Sequence, residues 1–180
     1  MYKGPTRKFK KRRIKRRQQK QTEYGQQLLE KQKLRKAYSL REKTLKNYFK
    51  KASRKKVEVD VKLIQYLERR LDNVVYRLGW SSSRPQGAQF VSHGHIMIGG
   101  KTVTIPSYQV SNDEQIEIKL RKKELYPFRD LPVKLDKFEP PRWLAFTSKD
   151  KMKTKVLGLP LRENFTEPIN LSLVLQFYSR

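Results

Sequence analysis

The stretch FVSHGHIMIGGK, residues 90–101, contains the only two histidines of the chain, His93 and His95. Two imidazoles beside a Gly-Gly turn could bind a metal ion or transfer protons. A zinc site, however, needs at least two further ligands, and catalytic zinc commonly uses three protein groups. The chain has no cysteine and no third histidine, and the nearest carboxylates in sequence, Asp72 and Asp113, lack a recognisable ligand spacing. We therefore predict no metal site and no cofactor.

Nucleophilic catalysis also lacks its sequence signals. The G-x-S-x-G elbow of serine hydrolases is absent, and so is the G-x-x-x-x-G-K-[ST] phosphate loop. RRLDNVVYRLGW, residues 69–80, contains the Arg-Leu-Asp tripeptide that carries the nucleophile of pseudouridine synthases. There it lies on a loop in a much larger catalytic domain, whereas here Asp72 falls inside a predicted helix. We expect Asp72 to be structural, paired with Arg69 or Arg77, and the protein not to be an enzyme.

The charge of the chain indicates its class of partner. Lysine and arginine number 43 against 17 acidic residues, a net charge of +26. Residues 1–56 carry 23 of the basic residues and only three acids. Such a concentration attracts a polyanion, and nucleic acid is the expected partner. We expect no membrane partner, because no apolar run approaches the roughly 20 residues of a membrane span, and no small-molecule substrate.

A basic N-terminal extension, residues 1–22, precedes two predicted helices. Thr22 can cap the first helix, which runs to about Ala37. Ser39 and Glu42 have the S-x-x-E spacing of a capping box and would open the second. That helix carries an apolar stripe on one side and basic residues on the others, which suits a helix lying between a core and phosphates.

Two further helices are predicted by periodicity and stop signals. One apolar stripe runs over residues 61–78 and ends at Gly79. A shorter helix can be capped by Ser82 or Ser83 and would end at Gly94.

The apolar period then changes from helical spacing to strict alternation. Ile96 and Ile98 alternate with His95 and Met97, and Gly99-Gly100 predicts a tight hairpin turn. We assign the two isoleucines to the core and the histidines to an RNA-facing surface. The competing interpretation, a buried histidine bonded to the backbone, applies best to His93.

The remaining segments are predicted as two strands and a connector. Residues 115–121 alternate as a strand, residues 126–142 are proline-rich and predicted to be extended, and INLSLVLQFYSR at the C-terminus is predicted as a buried strand.

Several segments strongly resemble the bacterial-type small-subunit ribosomal protein S4 family. They are EYGQQLLEKQKLR (23–35), YFKKASRKK (48–56), LERRLDNVVYRLGW (67–80), FVSHGHIMIGGKTVTIPSYQV (90–110) and FYSR (177–180). The match is nearly collinear from Glu23 to about Ile118. The chain resembles a shortened member, because it lacks an N-terminal segment that holds a cysteine zinc site in some members.

The resemblance implies an α+β fold with a discontinuous helical domain. A small S4-type RNA-binding domain, two helices packed on a short antiparallel sheet, is inserted into it. The implied ranges are 1–22 for the extension, 23–60 for the first part of the helical domain, 61–125 for the RNA-binding domain, 126–141 for the connector and 142–180 for a C-terminal segment that packs back on the helical domain.

The resemblance also implies a function. The family binds the five-way junction in the 5′ domain of small-subunit rRNA early in assembly, contacts ribosomal protein S5, lies where mRNA enters the subunit and influences translational accuracy. We expect a cytoplasmic ribosome, with an organellar ribosome as the other location. The alternative function is a free-standing RNA chaperone or stress protein with an S4-type domain, whose match would be confined to 61–125.

Charge and resemblance together predict the residues that contact RNA. They are Arg12, Arg13, Lys31, Lys33, Arg35, Lys50, Arg54, Lys55, Lys56, Arg69, Arg70, Arg84, Gln89, Ser92, His93, His95, Lys101 and Tyr108.

Overall fold

The computed structural model of the protein describes residues 22–54, 58–119 and 128–179. Within these ranges the chain forms seven α-helices and a five-stranded antiparallel sheet, which confirms the predicted α+β class. None of the helices in these ranges is both long and apolar enough to cross a membrane. Four predicted RNA contacts lie outside the described residues: Arg12, Arg13, Lys55 and Lys56. Most of the predicted N-terminal extension also lies outside them.

The elements follow a mixed order along the chain. They are α1 (Glu23–Ala37), α2 (Glu42–Ser53), α3 (Val59–Glu68), α4 (Leu71–Arg77), α5 (Arg84–Ser92), β1 (Ile96–Ile98), β2 (Lys101–Thr102), β3 (Gln115–Ile118), α6 (Leu131–Lys134), β4 (Leu144–Phe146), β5 (Lys153–Val156) and α7 (Leu171–Tyr178).

The first three helices and the last one share a hydrophobic core, which we call the helical core. Leu34 of α1, Leu45 of α2, Leu63 of α3 and Val174 of α7 are all fully buried in it. The start of α1 is as predicted, because Thr22 Oγ1 accepts a hydrogen bond from the Gly25 backbone N–H at 3.2 Å.

The predicted capping box at the start of α2 is wrong. Ser39 has a left-handed φ of 51°, and the N-cap position is taken by Arg41 without a side-chain hydrogen bond. Glu42 accepts hydrogen bonds from Lys31 Nζ at 3.0 Å and from the Tyr178 hydroxyl at 2.8 Å. Its carboxylate therefore ties α2 to α1 and α7 instead of closing a cap.

The single helix predicted over 61–78 is two helices. The chain leaves α3 at Glu68, and Arg70 adopts an extended conformation with ψ 133° before α4 begins. The Leu71 backbone N–H, which a continuous helix would use internally, donates to the Tyr108 carbonyl at 2.9 Å. An apolar stripe does not reveal this break, because the competing acceptor lies far away in sequence.

The second core, which we call the sheet core, forms between α4, α5 and the sheet. The predicted hairpin is confirmed, with Gly99 at φ 54° and Gly100 at φ 78° in the turn. Ile96 and Ile98 point into the core as expected, with 0% and 9% of their surface exposed. Two helices thus pack on an antiparallel sheet, as the resemblance implied.

Replacing Ile96 with alanine should cost about 2–5 kcal/mol of unfolding free energy, because its side chain is fully buried and the truncation leaves a cavity in the sheet core. Urea unfolding followed by circular dichroism measures the loss. The control is Ile105→Ala, whose side chain is 59% exposed and should cost no more than about 0.5 kcal/mol. Equal losses for the two variants would contradict the assignment of Ile96 to the core.

The sheet is wider than predicted, with strand order β2-β1-β3-β5-β4. Strand β5 pairs with β3 through Ile116 opposite Thr154, and β4 pairs with β5 through Leu144 opposite Val156. Residues 142–156 therefore extend the sheet, whereas the prediction packed them against the helical domain. These strands are too short, and β5 too rich in lysine, to give a clear alternating pattern.

The proline-rich connector is not simply extended. Phe128, Leu131 and Leu135 are buried in the sheet core, and residues 131–134 form the short helix α6. Proline fits the first turn of a helix, since the N–H that it lacks has no partner there.

The strand predicted at the C-terminus is also wrong, because the segment forms α7. Asn170 Oδ1 accepts from the Leu173 backbone N–H at 3.4 Å and caps the helix. Leu171 and Val174 are buried in the helical core, and Leu175 packs against it. Their i, i+3, i+4 spacing is helical, but a short apolar run fits either element.

The predicted domain boundaries stay a prediction, although the packing departs from them. The helix α3 contributes Leu63, Ile64 and Leu67 to the helical core, whereas α4 belongs to the sheet core. The two groups of elements therefore meet at residues 69–70.

Candidate RNA interface

Arg84 was predicted to face RNA but lies between the two cores, with 8% of its surface exposed. Its Nε donates to Asn73 Oδ1 at 2.7 Å, and its two terminal nitrogens donate to the Ala37 carbonyl at 2.8 Å and to Glu167 at 2.5 Å. The guanidinium also lies 4.3 Å from the ring centre of Tyr38. We correct its assignment, because the side chain is buried and each of its three nitrogens donates to a partner within the protein.

Arg70 is corrected for the same reason. Its Nε and one terminal nitrogen form a bidentate pair with Asp72 at 3.0 and 2.5 Å, and the other terminal nitrogen donates to the Tyr48 hydroxyl at 2.9 Å. Burial raises the pKa of Asp72 above its ordinary value, although the bonds from Arg70 act in the opposite direction. Asp72 is structural, as expected, but its partner is neither Arg69 nor Arg77.

Glu68 is the centre of this buried polar region and is fully buried. Arg77 donates to both carboxylate oxygens at 2.8 and 2.9 Å, Asn73 Nδ2 donates at 3.0 Å, and the Tyr38 hydroxyl also donates. Burial, followed by the nearby Glu68 carboxylate, raises the pKa of Tyr38. We call this region the polar seam; its residues are Tyr38, Tyr48, Glu68, Arg70, Asp72, Asn73, Arg77, Arg84 and Glu167.

The predicted contacts on α1 are only partly available. Lys31 is buried, pairs with Glu42 at 3.0 Å and lies 4.5 Å from the ring centre of Phe177. We therefore assign Lys31 to the packing of α1 on α7 instead of to RNA. Lys33 is exposed although it pairs with Glu30, and Arg35 is half-buried.

Tyr108 is half-buried, and its hydroxyl donates to Glu114 Oε1 at 2.7 Å. This bond, followed by burial, raises the pKa of Tyr108. The hydroxyl proton is thus already donated within the protein, and the aromatic ring is the part of Tyr108 that remains for contact with RNA.

The end of α5 and the hairpin bring four predicted residues to the surface. We call this exposed group the hairpin patch: Gln89, Ser92, His93 and Lys101. His95 is half-buried, and its ring packs edge-on against Phe128 at 5.6 Å and Phe90 at 6.0 Å between ring centres. The partly buried histidine is therefore His95, whereas the competing interpretation had favoured His93.

The two histidines should respond differently to replacement by alanine. His93→Ala should change stability by no more than about 0.5 kcal/mol and weaken RNA binding by about 1–3 kcal/mol if the ring stacks on a base. His95→Ala should instead cost about 0.5–1.5 kcal/mol of stability, since it loses its ring contacts with Phe90 and Phe128 in addition to that with His93. Thermal melting and filter binding distinguish the effects. The reverse pattern would remove His93 from the interface.

A second candidate surface is a cleft of about 360 Å³ between the end of α2 and one face of α3, which we call the basic cleft. Its cationic walls are Lys51, Arg54, Lys62 and Arg69, and Tyr66 lies among them. No carboxylate of the described residues lines it. Such a site favours phosphate groups, because binding an anion relieves the repulsion among the cations.

Sequence reasoning found only part of this cleft. Arg54 and Arg69 were predicted, but Lys51, Lys62 and Tyr66 were missed. The spacing of residues 62, 66 and 69, which is i, i+4, i+7 on one helix face, could have revealed them. Lys50 is exposed on α2 and stays a predicted contact.

The described residues contain no group of three or more histidine, aspartate or glutamate side chains placed to hold a metal ion. The buried carboxylates of the polar seam already accept hydrogen bonds from arginine.

Comparisons with known proteins cover almost the whole chain. The family model for the Ribosomal protein S4/S9 N-terminal domain matches residues 2–68, and that for the S4 domain matches residues 69–116. The boundary between the matches falls where α3 ends, next to the extended Arg70.

Curated relatives extend the similarity beyond these two matches. The Small ribosomal subunit protein uS4 of Aquifex aeolicus is 46% identical over 167 residues, 91% of this chain and 79% of the relative. The proteins of the same name from Halothermothrix orenii and Syntrophomonas wolfei are 41% and 43% identical, and each alignment covers at least 91% of this chain and 78% of the relative.

Proposed function

Because this chain belongs to the family of Small ribosomal subunit protein uS4, we propose that it binds the five-way junction in the 5′ domain of small-subunit rRNA and nucleates assembly there. As a member of that family it is a ribosomal protein of the small subunit, not an enzyme. The observation that carries the proposal is similarity over 91% of the chain to proteins of that name.

The free-standing chaperone is the weaker alternative. Under that hypothesis the similarity to the family would be confined to residues 61–125, whereas the family match also includes residues 2–68. A chaperone that borrows one small domain has no need of the helical core.

Two physical features support an rRNA-binding role. The net charge of +26 would neutralise phosphates and release their counterions, which supplies most of the affinity. The polar seam ties α4 and α5 to the helical core through Arg84 and Glu68. A protein held rigid in this way can recognise the shape of folded RNA without reading its sequence.

The finer parts of the proposal concern the position in the subunit. The resemblance supports contact with ribosomal protein S5, a place where mRNA enters and an influence on translational accuracy. It also supports a cytoplasmic ribosome. The exposed cations of α2, among them Lys46, Lys50 and Lys51, are suited to a surface near RNA because they face away from the helical core.

Binding to isolated rRNA fragments tests the proposal. The full chain should bind a transcribed 5′ domain of small-subunit rRNA at least tenfold more tightly than a 3′-domain transcript of equal length. Competition at fixed salt measures the ratio, because non-specific binding depends mainly on phosphate charge. Equal affinity for the two transcripts would overturn the assignment to the 5′ domain.

A further inference from the structure

We propose that the basic cleft holds one unpaired nucleotide of the bound RNA, with its base stacked on Tyr66 and with its own phosphate and the neighbouring phosphates of the RNA chain against Lys51, Arg54 and Lys62. This inference rests on the proposed function, since the RNA that supplies the nucleotide is the rRNA. It goes further by naming a pocket for a single residue of that RNA.

The cleft has a cation arrangement suited to a phosphate backbone. Lys51 and Arg54 are exposed at the end of α2, and Lys62 faces them from α3. Arg69 is partly committed, because its Nε donates to the Val110 carbonyl at 2.6 Å, which fixes the guanidinium at the edge of the cleft. Lys62 Nζ donates one hydrogen bond to Gln65 Oε1 at 3.1 Å and keeps two further N–H groups. Lys51, Arg54 and Lys62 can therefore contact phosphates, while Arg69 is held by the protein.

Tyr66 forms a prepared stacking surface. Its ring lies nearly parallel to that of Tyr48, at 12° and with centres 6.0 Å apart. Tyr48 is in turn held by the 2.9 Å bond from Arg70, and the Tyr66 carbonyl accepts from Gln109 Nε2 at 3.1 Å. Packing on Tyr48 therefore helps to fix the orientation of the Tyr66 ring, and Tyr66 also lines the cleft.

The volume of the basic cleft and its remaining lining residues suit a single unpaired base. A volume of about 360 Å³ is at the lower end of the roughly 300–1,000 Å³ typical of small-ligand sites. Leu159, 38% exposed, supplies an apolar wall, and Gln65 supplies an amide. A paired base presents only its edges to a protein, whereas an unstacked base offers its face to an aromatic ring.

The test compares two replacements of Tyr66 for binding to the 5′-domain transcript. Tyr66→Leu, which removes the ring, should weaken binding about 5- to 150-fold, the loss typical of one stacked base. Tyr66→Phe keeps the ring and should bind within about threefold of the original protein. The matched control is Tyr24→Leu, an exposed tyrosine on α1, which should have no effect.

Ultraviolet crosslinking tests the same contact in the unmodified protein, so the inference can be tested even if Tyr66→Leu does not fold. Peptides containing residues 62–69 should carry a crosslink to a nucleotide that is unpaired in the rRNA. Crosslinks from this peptide only to paired nucleotides, no crosslink at all, or unchanged binding by a folded Tyr66→Leu would each overturn the inference.

Further arms of the experiment separate the possible failures. If the unmodified protein does not prefer the 5′ domain, the proposed function fails; if it does but Tyr66→Leu binds normally, only the nucleotide pocket fails.

Adenosine monophosphate and uridine monophosphate alone should bind weakly, because they lack the neighbouring phosphates. Tight, Tyr66-dependent binding of these mononucleotides with normal RNA binding would assign the cleft to a free nucleotide and overturn the RNA assignment.

Discussion

Replacing Glu68 with alanine should destabilise the protein by about 3–5 kcal/mol, because removing one partner of a buried ion pair leaves the other charge without compensation. The carboxylate accepts hydrogen bonds from Arg77, Asn73 and Tyr38, and none of its surface is exposed. The loss should appear in urea unfolding at pH 7 as a lower midpoint. Because Glu68 lies at the seam between the two cores, both should unfold earlier.

Two controls make this result specific. Glu163→Ala removes an exposed carboxylate and should cost no more than about 0.5 kcal/mol. A double-mutant cycle of Glu68 and Arg77 should give a coupling energy of about 0.5–3 kcal/mol, the range for residues in one network. A loss below 1 kcal/mol for Glu68→Ala, or no coupling, would show that the seam does not hold the two cores together.

Neutralising the basic cleft should produce the largest effect on RNA binding. A triple variant with Lys51→Gln, Arg54→Gln and Lys62→Gln should lower the slope of log affinity against log salt by about two to three units, since each phosphate contact contributes roughly 0.7–0.9. Affinity should fall most at low salt, where counterion release contributes most. Filter binding to the 5′-domain transcript at several salt concentrations measures both quantities.

The matched control removes the same charge elsewhere. Arg129, Lys137 and Lys149 are exposed in the second half of the chain, and their replacement by glutamine should lower the slope by less than one unit. Equal slopes for the two triple variants would mean that only net charge matters, and the basic cleft would then have no special place in the interface.

Local signals predicted the elements that local interactions determine. The helix α1 begins at Thr22 because a hydroxyl there satisfies a backbone N–H within three residues, and the hairpin turns at Gly99-Gly100 because both positions need positive φ. Ile96 and Ile98 face the core because alternation places them on one side of the strand. Each of these features depends on residues close in sequence.

The errors have a common physical origin in distant contacts. The break at Arg70 depends on hydrogen bonds that the Leu71 and Asp72 backbone N–H groups donate to carbonyls at residues 106 and 108. The burial of Arg84 depends on Glu167, 83 positions away. No spacing rule distinguishes an arginine that meets phosphate from one that meets a distant carboxylate. The family and the small-subunit role could be predicted because they depend on motifs along the chain. Arg70 and Arg84 were assigned to RNA, whereas their partners lie within the protein.

Sedimentation through a sucrose gradient tests the central claim most directly. A structural protein of the small subunit should sediment with that subunit even at a salt concentration that removes loosely bound factors. Quantitative immunoblotting should then find about one copy of the protein per subunit. Release of RNA-bound proteins by salt follows the number of phosphate contacts, so a factor bound by charge alone is lost first. Finding the protein only at the top of the gradient under these conditions, with intact small subunits below, would contradict the account.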